Sequence, residues 1–365
     1  MIDNHLAGLR VQRGLSAAQI AEQVGVSRQT IHALESGSYV PNTVVALRLA
    51  RVLGVSVEQV FSLPSDANAP ALPAQDVDLL PGSETPEPGQ PLQLCRVDRR
   101  TMATLPSPLP WYLPASDAVA AGAAKLKGKA RAQLFQQDET PSKRLLVAGC
   151  DPGVSVLARH LQRSGVELVL AHRNSSQALA LLKAGCVHVA GTHLRDNLPS
   201  ISRMFAKGSV AVISLAIWEE GIVTGRGNPK GVKRIEDFAR RDVAIVNREA
   251  GAGTRLLLDQ KLRQLGIPAK KVRGYERTAA GHLAAAWQVH SGLADCCLAT
   301  RAAARVFGLG FVSLVSERYD VVLRKRHLDL PAMQTLLETL ARSAFRRELE
   351  SLGGYDTTPA GTRLI

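Results

Sequence analysis

Five short turns carry the side chains able to do chemistry: CDPGVS (150–155), HRNSS (172–176), GTHL (191–194), NREAGAGT (247–254) and ERTAAGH (276–282). They hold little charge that could serve as an acid/base pair and many small hydroxyl and amide donors. In the fourth, Gly251 and Gly253 let backbone N–H groups approach a ligand closely. Thr254 and Arg255 stand where a helix begins, with free N–H groups and a dipole that favours an anion. Ser175 and Ser176, after Arg173, open a second helix, and Thr278 and His282 a third. Helix starts converging on one cleft would make an oxyanion or carboxylate site, and Asp151 lies in the first turn. The phosphate loop G-x-x-x-x-G-K-[ST] is absent, and the dinucleotide spacing G-x-G-x-x-G fails. His193 and His282 read as hydrogen-bond donors or core groups rather than metal ligands. Cys150, Cys296 and Cys297 read as buried packing, with a soft-metal or redox role the alternative. With Cys95 and Cys186 they form no C-x-x-C pair, so neither a zinc site nor a disulfide framework is expected.

These turns need strands and helices to hold them. From residue 144 onward, strands such as RLLVAG and DVAIVN alternate with amphipathic helices. That order predicts an α/β fold with mostly parallel sheets and ligands beyond the strand ends. SVAVISLAIWEEGIVT predicts two strands, GNPKGVKRIEDFARR a helix just after Pro229, and LPAMQTLLETLARSAFRRELESLGG one closing helix. Upstream, residues 64–91 are rich in Pro, Ala and acidic residues and read as a linker. Residues 92–143 read as a small β-rich connector. There Trp111 and Tyr112 sit between prolines, suited to packing on the next domain or to a ligand lid, and 125–135 form a basic strand or hairpin.

Residues 1–63 have a different pattern. Ser16 and Ser27 suit two helix N-caps, Gly25 a left-handed turn, and Ile20, Ala21, Val24, Ile31 and Leu34 an inward face. Two short helices joined by a glycine turn predict a helix-turn-helix inside a five-helix, all-α bundle. The second helix turns Arg28, Gln29, Thr30 and His32 outward after Ser27, the set that would enter the major groove of double-stranded operator DNA.

The whole chain has 365 residues, enough for two or three domains, with 21% charged residues and a net charge of +13. The basic balance favours polyanions or anionic ligands. The N-terminal residues lack a signal-peptide apolar core, and no apolar run approaches membrane-spanning length. A cytoplasmic protein is expected.

QIAEQVGVSRQTIHALESGSYVPNTVVALRLARVLGVSVEQVF closely resembles the phage-repressor-like (Xre) helix-turn-helix family. That resemblance implies base reading by Arg28, Gln29 and Thr30. GNPKGVKRIEDFARRDVAIVNREAGAGTRLLLDQKL and GYERTAAGHLAAAWQVHSGLADCCLATRAAA resemble the type II periplasmic-binding-protein-like domain found fused to helix-turn-helix regulators, with relatives among molybdate- and tungstate-binding proteins. The likeness covers about 144–356. It implies two lobes, chain crossings near 218–228 and 312–320, and a cleft lined by the Ser175/Ser176 turn, the GTHL turn with His193, Asn247–Arg255 including Arg248, and the Thr278–His282 turn.

Together these readings predict a ligand-responsive transcription regulator, not an enzyme, working as a homodimer or higher homo-oligomer. Its expected effector is a small anion, molybdate or tungstate first, and no cofactor is expected. An organic acid, a sulfur compound or a pterin cofactor are the other effectors considered. An enzyme of molybdenum cofactor metabolism is disfavoured by the lack of a nucleophile–base pair.

Overall fold

The computed structural model describes residues 3–62, 74–106, 115–123, 128–135, 143–193 and 197–365. Trp111 and Tyr112, part of the linker, the start of the basic run and Leu194 of the GTHL turn lie outside the described residues. The chain divides into two compact units, Met1–Ala71 and Leu72–Ile365.

In the first unit, strand β1 (Asp3–Asn4) precedes helices α1 (Leu6–Gln12), α2 (Ala17–Val24), α3 (Arg28–Glu35), α4 (Thr43–Leu53) and α5 (Val57–Val60). Strand β2 (Phe61–Ser62) returns to pair antiparallel with β1 and clips the two ends together. The expected caps are present. Ser16 accepts from the Gln19 N–H in a capping box, and Ser27 from the Thr30 N–H at 3.0 Å. Gly25 takes φ 77°, which permits the tight turn between α2 and α3. Ile20, Val24, Ile31, Leu34, Leu49 and Leu53 fill the core. Arg10 reaches from α1 to Glu35 on α3 at 2.5 Å and locks their angle.

The second unit begins with a closed five-stranded barrel: β3 (Gln75–Leu79), β4 (Pro91–Val97), β5 (Arg100–Thr104), β6 (Ala118–Ala123) and β7 (Lys129–Leu134). Strand β3 falls inside the stretch read as linker. Only Val77 and Leu79 point into the barrel there, too short a run to stand out in the sequence. Alanines 103, 118, 120, 130 and 132 fill much of that interior, so the barrel is narrow. Its outer face packs directly against the first α/β lobe. Leu80, Cys95, Val97 and Met102 share a core with Val169, Leu179 and Leu182.

Next come β8 (Arg144–Gly149), α6 (Val154–Gln162), β9 (Glu167–His172), α7 (Ser175–Lys183), β10 (Val189–Thr192), α8 (Asn197–Met204) and β11 (Val210–Thr224). After these lie β12 (Ile245–Arg248), α9 (Gly253–Gln264), β13 (Thr278–Ala279), α10 (His282–His290), β14 (Cys296–Thr300), α11 (Arg301–Val306) and β15 (Gly310–Arg324). Helices α12 (Pro331–Ala341) and α13 (Ser343–Ser351) and strand β16 (Tyr355–Asp356) close the chain.

One sheet runs β13-β12-β14-β11-β15-β10-β8-β9, with β16 beside β11. Strands β8, β9 and β10 make a parallel lobe, and β12, β13 and β14 a second. The two 15-residue strands β11 and β15 pass through both lobes. Three expectations are corrected here. The apolar 210–224 stretch is one strand rather than two, because no turn residue breaks it. Register shifts at Ser214/Ala216 and Glu220/Gly221 bend it instead. Residues 235–239 form only a short 3-10 turn, since Asp237 accepts the Lys233 and Arg234 N–H groups. The closing helix is two helices, broken where Arg342 takes ψ 128°. The lobe crossing runs from 214 to 221 and opposite it from 315 to 320, slightly before the first expected range.

Candidate functional site

Between the two register shifts, the ladder sets one face of the crossing strands. Ala216 pairs with Tyr319, Trp218 with Glu317 and Glu220 with Val315. Side chains alternate along a strand and paired residues share a face, so Trp218, Glu220, Glu317 and Tyr319 all point to the same side. That side is the cleft between the lobes. Glu219 points the other way, to Arg301 and Ser313.

Helix starts meet this face. Ser175, first in α7, accepts the His193 N–H at 3.2 Å. Gly253, first in α9, lies under the His193 ring so closely that a Cβ there would stand 2.5 Å from Cε1. His282, first in α10, has its ring centroid 5.9 Å from that of His193 and 5.1 Å from that of Trp218. Tyr319 covers Gly149 and Gly191, whose missing Cβ atoms leave room for its hydroxyl. The lobes touch across the cleft, since Asn174 Nδ2 donates to the Ala250 carbonyl at 3.2 Å. Hence the cleft is shut.

Shutting it buries polar groups without pairing them. Among the described residues, nine buried side-chain polar atoms lack a hydrogen-bond partner, and seven gather here. They are Asp151 Oδ2, His172 Nε2, Trp218 Nε1, Glu220 Oε2, Arg248 Nη1 and both ring nitrogens of His282. Each such atom costs about 1–3 kcal/mol. Concentrating them in one place is the signature of a site that awaits a partner.

Charges in the cluster are perturbed accordingly. Burial pushes the Glu220 carboxyl up to about 7, against the pull of His193, and Glu317 adds to the rise. Burial likewise raises Asp151 to about 6, although Tyr355 and the Gly153 N–H hold its Oδ1 at 2.6 and 2.8 Å. Burial opposes a charge on His193. Cys150, Glu317 at 3.0 Å from Nδ1, and Glu220 together overcome it, so the imidazole titrates well above the usual histidine range. Burial and then Arg248 drive His282 well below that range. Arg248 is 1% exposed and gives two bonds to Glu249, at 2.9 and 3.0 Å.

Not every expected residue lies in the cluster. Asp151, Ser175, His193, Arg248, Gly253, Thr254 and His282 do, with Thr254 donating to Glu220. Asn247 is buried beside it but is spent on the Arg248 N–H and the Tyr275 carbonyl. Arg255 bonds the Arg248 carbonyl and lies 4.8 Å over the Tyr275 ring, away from the unpaired atoms. Arg173 is taken by the His172 carbonyl and Ser83. Ser176 and Thr278 are exposed: the first faces outward one position past Ser175, and the second sits on the short strand β13. Sequence reading missed His172, Trp218, Glu220, Glu317 and Tyr319. Four of these are mid-strand residues, where no turn signal marks them. Glu220 and Glu317 also bring carboxylates into the cleft from the crossing strands, outside the five turns.

In the first unit, Ser27, Arg28, Gln29 and His32 are exposed along α3. Thr30 is half-buried, its hydroxyl 2.8 Å from that of Ser27. Residues 1–62 hold five arginines against four acidic residues, a net of +1, so the basic excess of the chain lies elsewhere.

Among the described residues, no helix is long and apolar enough to cross a membrane. Comparison with known proteins matches residues 4–63 to a helix-turn-helix domain family and residues 158–341 to the PBP superfamily domain. The chain is similar to Bacillus subtilis YvgK, an uncharacterized protein, with 31% identity over 63% of this chain and 77% of the relative. A stretch covering 16% of the chain is 48% identical to an uncharacterized HTH-type transcriptional regulator of Methanothermobacter thermautotrophicus, over 84% of that protein. Among solved structures, similarity extends to the Azotobacter vinelandii periplasmic molybdate-binding protein, with TM-score 0.48, 15% identity, and coverage of 58% of this chain and 98% of that one. It extends also to the sulfate-binding protein SubI of Mycobacterium tuberculosis, with TM-score 0.47, 11% identity, and coverage of 58% and 86%.

Proposed function

Because the chain belongs to the PBP superfamily and joins that domain to a helix-turn-helix domain, we propose that it is a DNA-binding transcription regulator, acting in the cytoplasm, whose operator affinity is set by a small anion held in the cleft. Molybdate and tungstate are the first effectors to test. The carrying observation is the set of unpaired buried atoms contributed by both lobes. Arg248 Nη1 and Trp218 Nε1 are donors, and neutral His282 has one N–H to give. Glu220 and Asp151, raised toward neutrality, present hydroxyl donors at the acid end of the physiological range. The starts of α7 and α9 add free backbone N–H groups. An anion bound there favours the shut form over an open one, and that difference in affinity is what moves the equilibrium. The unpaired Arg248 Nη1 can donate a charge-assisted bond to a small carboxylate as well, which makes organic acids the second class.

Thermal unfolding of the whole chain with molybdate, tungstate, sulfate, phosphate and small carboxylates tests the reading. A ligand at 100 times its dissociation constant stabilises by ~2.7 kcal/mol. No shift with any of these would sink the anion reading and leave the DNA-binding one standing.

On the DNA side, Arg28, Gln29 and Thr30 are the proposed base readers, with Ser27 and His32 at the edges. A homo-oligomer would place two such helices on half-sites about one helical turn apart. Arg28→Ala should weaken binding to a selected operator by ~1–3 kcal/mol and relax one base preference. An unchanged footprint and unchanged salt dependence would remove Arg28 from that role.

A further inference from the structure

We propose that Cys150, His193 and His282 form a binding site for a thiophilic metal cation, Zn2+ in the first instance, which bridges the two lobes. The inference goes beyond the anion reading and does not rest on it. Cys150 follows β8 and His193 follows β10, both in the first lobe, whereas His282 begins α10 in the second. Their donor atoms lie within 4.8 Å of one another, and all three residues are buried. Ligands around a tetrahedral ion with bonds of 2.0–2.3 Å stand about 3.3–3.8 Å apart, so the three must contract by at most about 1.5 Å.

The chemistry of each donor fits. His282 is buried, yet neither ring nitrogen has a hydrogen-bond partner, and the Glu220 carboxylate stands 4.0 Å from Nδ1. A buried neutral imidazole with two idle nitrogens is costly, and a metal bond relieves one of them. His193 gives Nδ1 to Glu317 at 3.0 Å, which leaves Nε2 for the ion. A carboxylate on the far nitrogen is the arrangement that fixes the tautomer and orientation of ligating histidines. The Cys150 sulfur lies within 4.8 Å of the donor nitrogens of both imidazoles.

Charge balance also favours a cation. Glu220 and Glu317 flank His193 within ligand distance, and Glu249 matches the Arg248 guanidinium. A dication offsets the Cys150 thiolate and one of the two carboxylates and leaves one net negative charge, against two for the metal-free thiol, neutral imidazoles and both carboxylates. Three protein ligands leave a fourth position open, as in zinc sites that bind a further ligand. Glu317, which holds His193, also lines a groove of about 350 Å3 with Asn197, Leu257 and Lys261.

The test uses the whole chain, stripped with a chelator and titrated with Zn2+ against a competing chelator. One zinc per chain is expected. Cys150→Ser and His282→Gln should each weaken it by roughly 100-fold or more, while Cys186→Ser leaves it unchanged. Co2+ in place of Zn2+ should give a thiolate charge-transfer band that Cys150→Ser abolishes. X-ray absorption of zinc-loaded wild type needs no variant and should report one sulfur with imidazole nitrogens. Substoichiometric zinc, a zinc shell without sulfur, or unchanged affinity in Cys150→Ser overturns the site. Repeating the anion titration in excess chelator separates the two readings: a shift there keeps the anion site whatever the zinc result, and its absence alongside zinc binding retires the anion reading alone.

Discussion

Arg248→Met is expected to lower anion affinity by about 2–5 kcal/mol, the range for removing one member of a buried charged pair. Its unpaired Nη1 puts a permanent cation into the cluster, and methionine keeps most of the bulk while removing the charge. Glu249, left behind, has a quarter of its side chain exposed and can be solvated, so the fold should survive. Arg255→Ala is the informative comparison. Its guanidinium is committed to the Arg248 carbonyl and the Tyr275 ring, so its loss should change anion affinity by less than about 1 kcal/mol. Isothermal titration of both variants distinguishes them. Equal losses would mean that the turn, not Arg248, holds the ligand.

The second large effect concerns stability. His188 is buried, and its Nδ1 accepts the Leu146 N–H at 3.0 Å, which requires a neutral ring. Burial, helped by His327 with its ring 5.2 Å away and opposed by Asp98, lowers its pKa to about 4 from an ordinary 6.5. As pH falls through 6.5 the unfolded chain takes up a proton that the folded chain refuses. The stability tied to His188 is therefore whole above 6.5 and is lost between 6.5 and about 4. It amounts to about 3 kcal/mol at ~1.4 kcal/mol per pH unit. Other buried groups titrate in the same window, and Asp151 and Glu220, raised by burial, pull in the opposite direction. The quantity to measure is therefore the gap in unfolding free energy between wild type and His188→Asn, which keeps an acceptor for Leu146. That gap should shift by about 3 kcal/mol against wild type from pH 7.5 to 4. A gap independent of pH would mean that His188 accepts its proton in the folded state.

Local chemistry was legible from the residues alone. Ser16, Ser27 and Gly25 announced two helices and their turn, because a cap needs only a side-chain oxygen and its neighbours' N–H groups. The alternation of strands and helices after residue 144 likewise announced an α/β lobe pair. Ser175, Gly253 and His282 stood out because helix starts carry local signatures. The barrel's first strand did not, since only Val77 and Leu79 alternate inward there, too short a run to stand out in a Pro- and acid-rich stretch. Nor did the exposure of Ser176, which differs from buried Ser175 only by one step around α7.

The cluster itself depended on the tertiary structure. Trp218 and Glu317 face the cleft because β11 and β15 pair in one register, and a slip of one residue would turn both away. Cys150, His193, Glu220 and His282 are far apart in the chain and meet only in the folded pair of lobes. Whether a buried imidazole or guanidinium keeps a free nitrogen depends on every neighbour at once. Hydrogen-bond pairing is thus a property of the packed interior, and no stretch of sequence carries it. Element types, caps and helix starts came from interactions a few residues long. The location of the site, the difference between Arg248 and Arg255 and the idle nitrogens of His282 came from the packed tertiary structure.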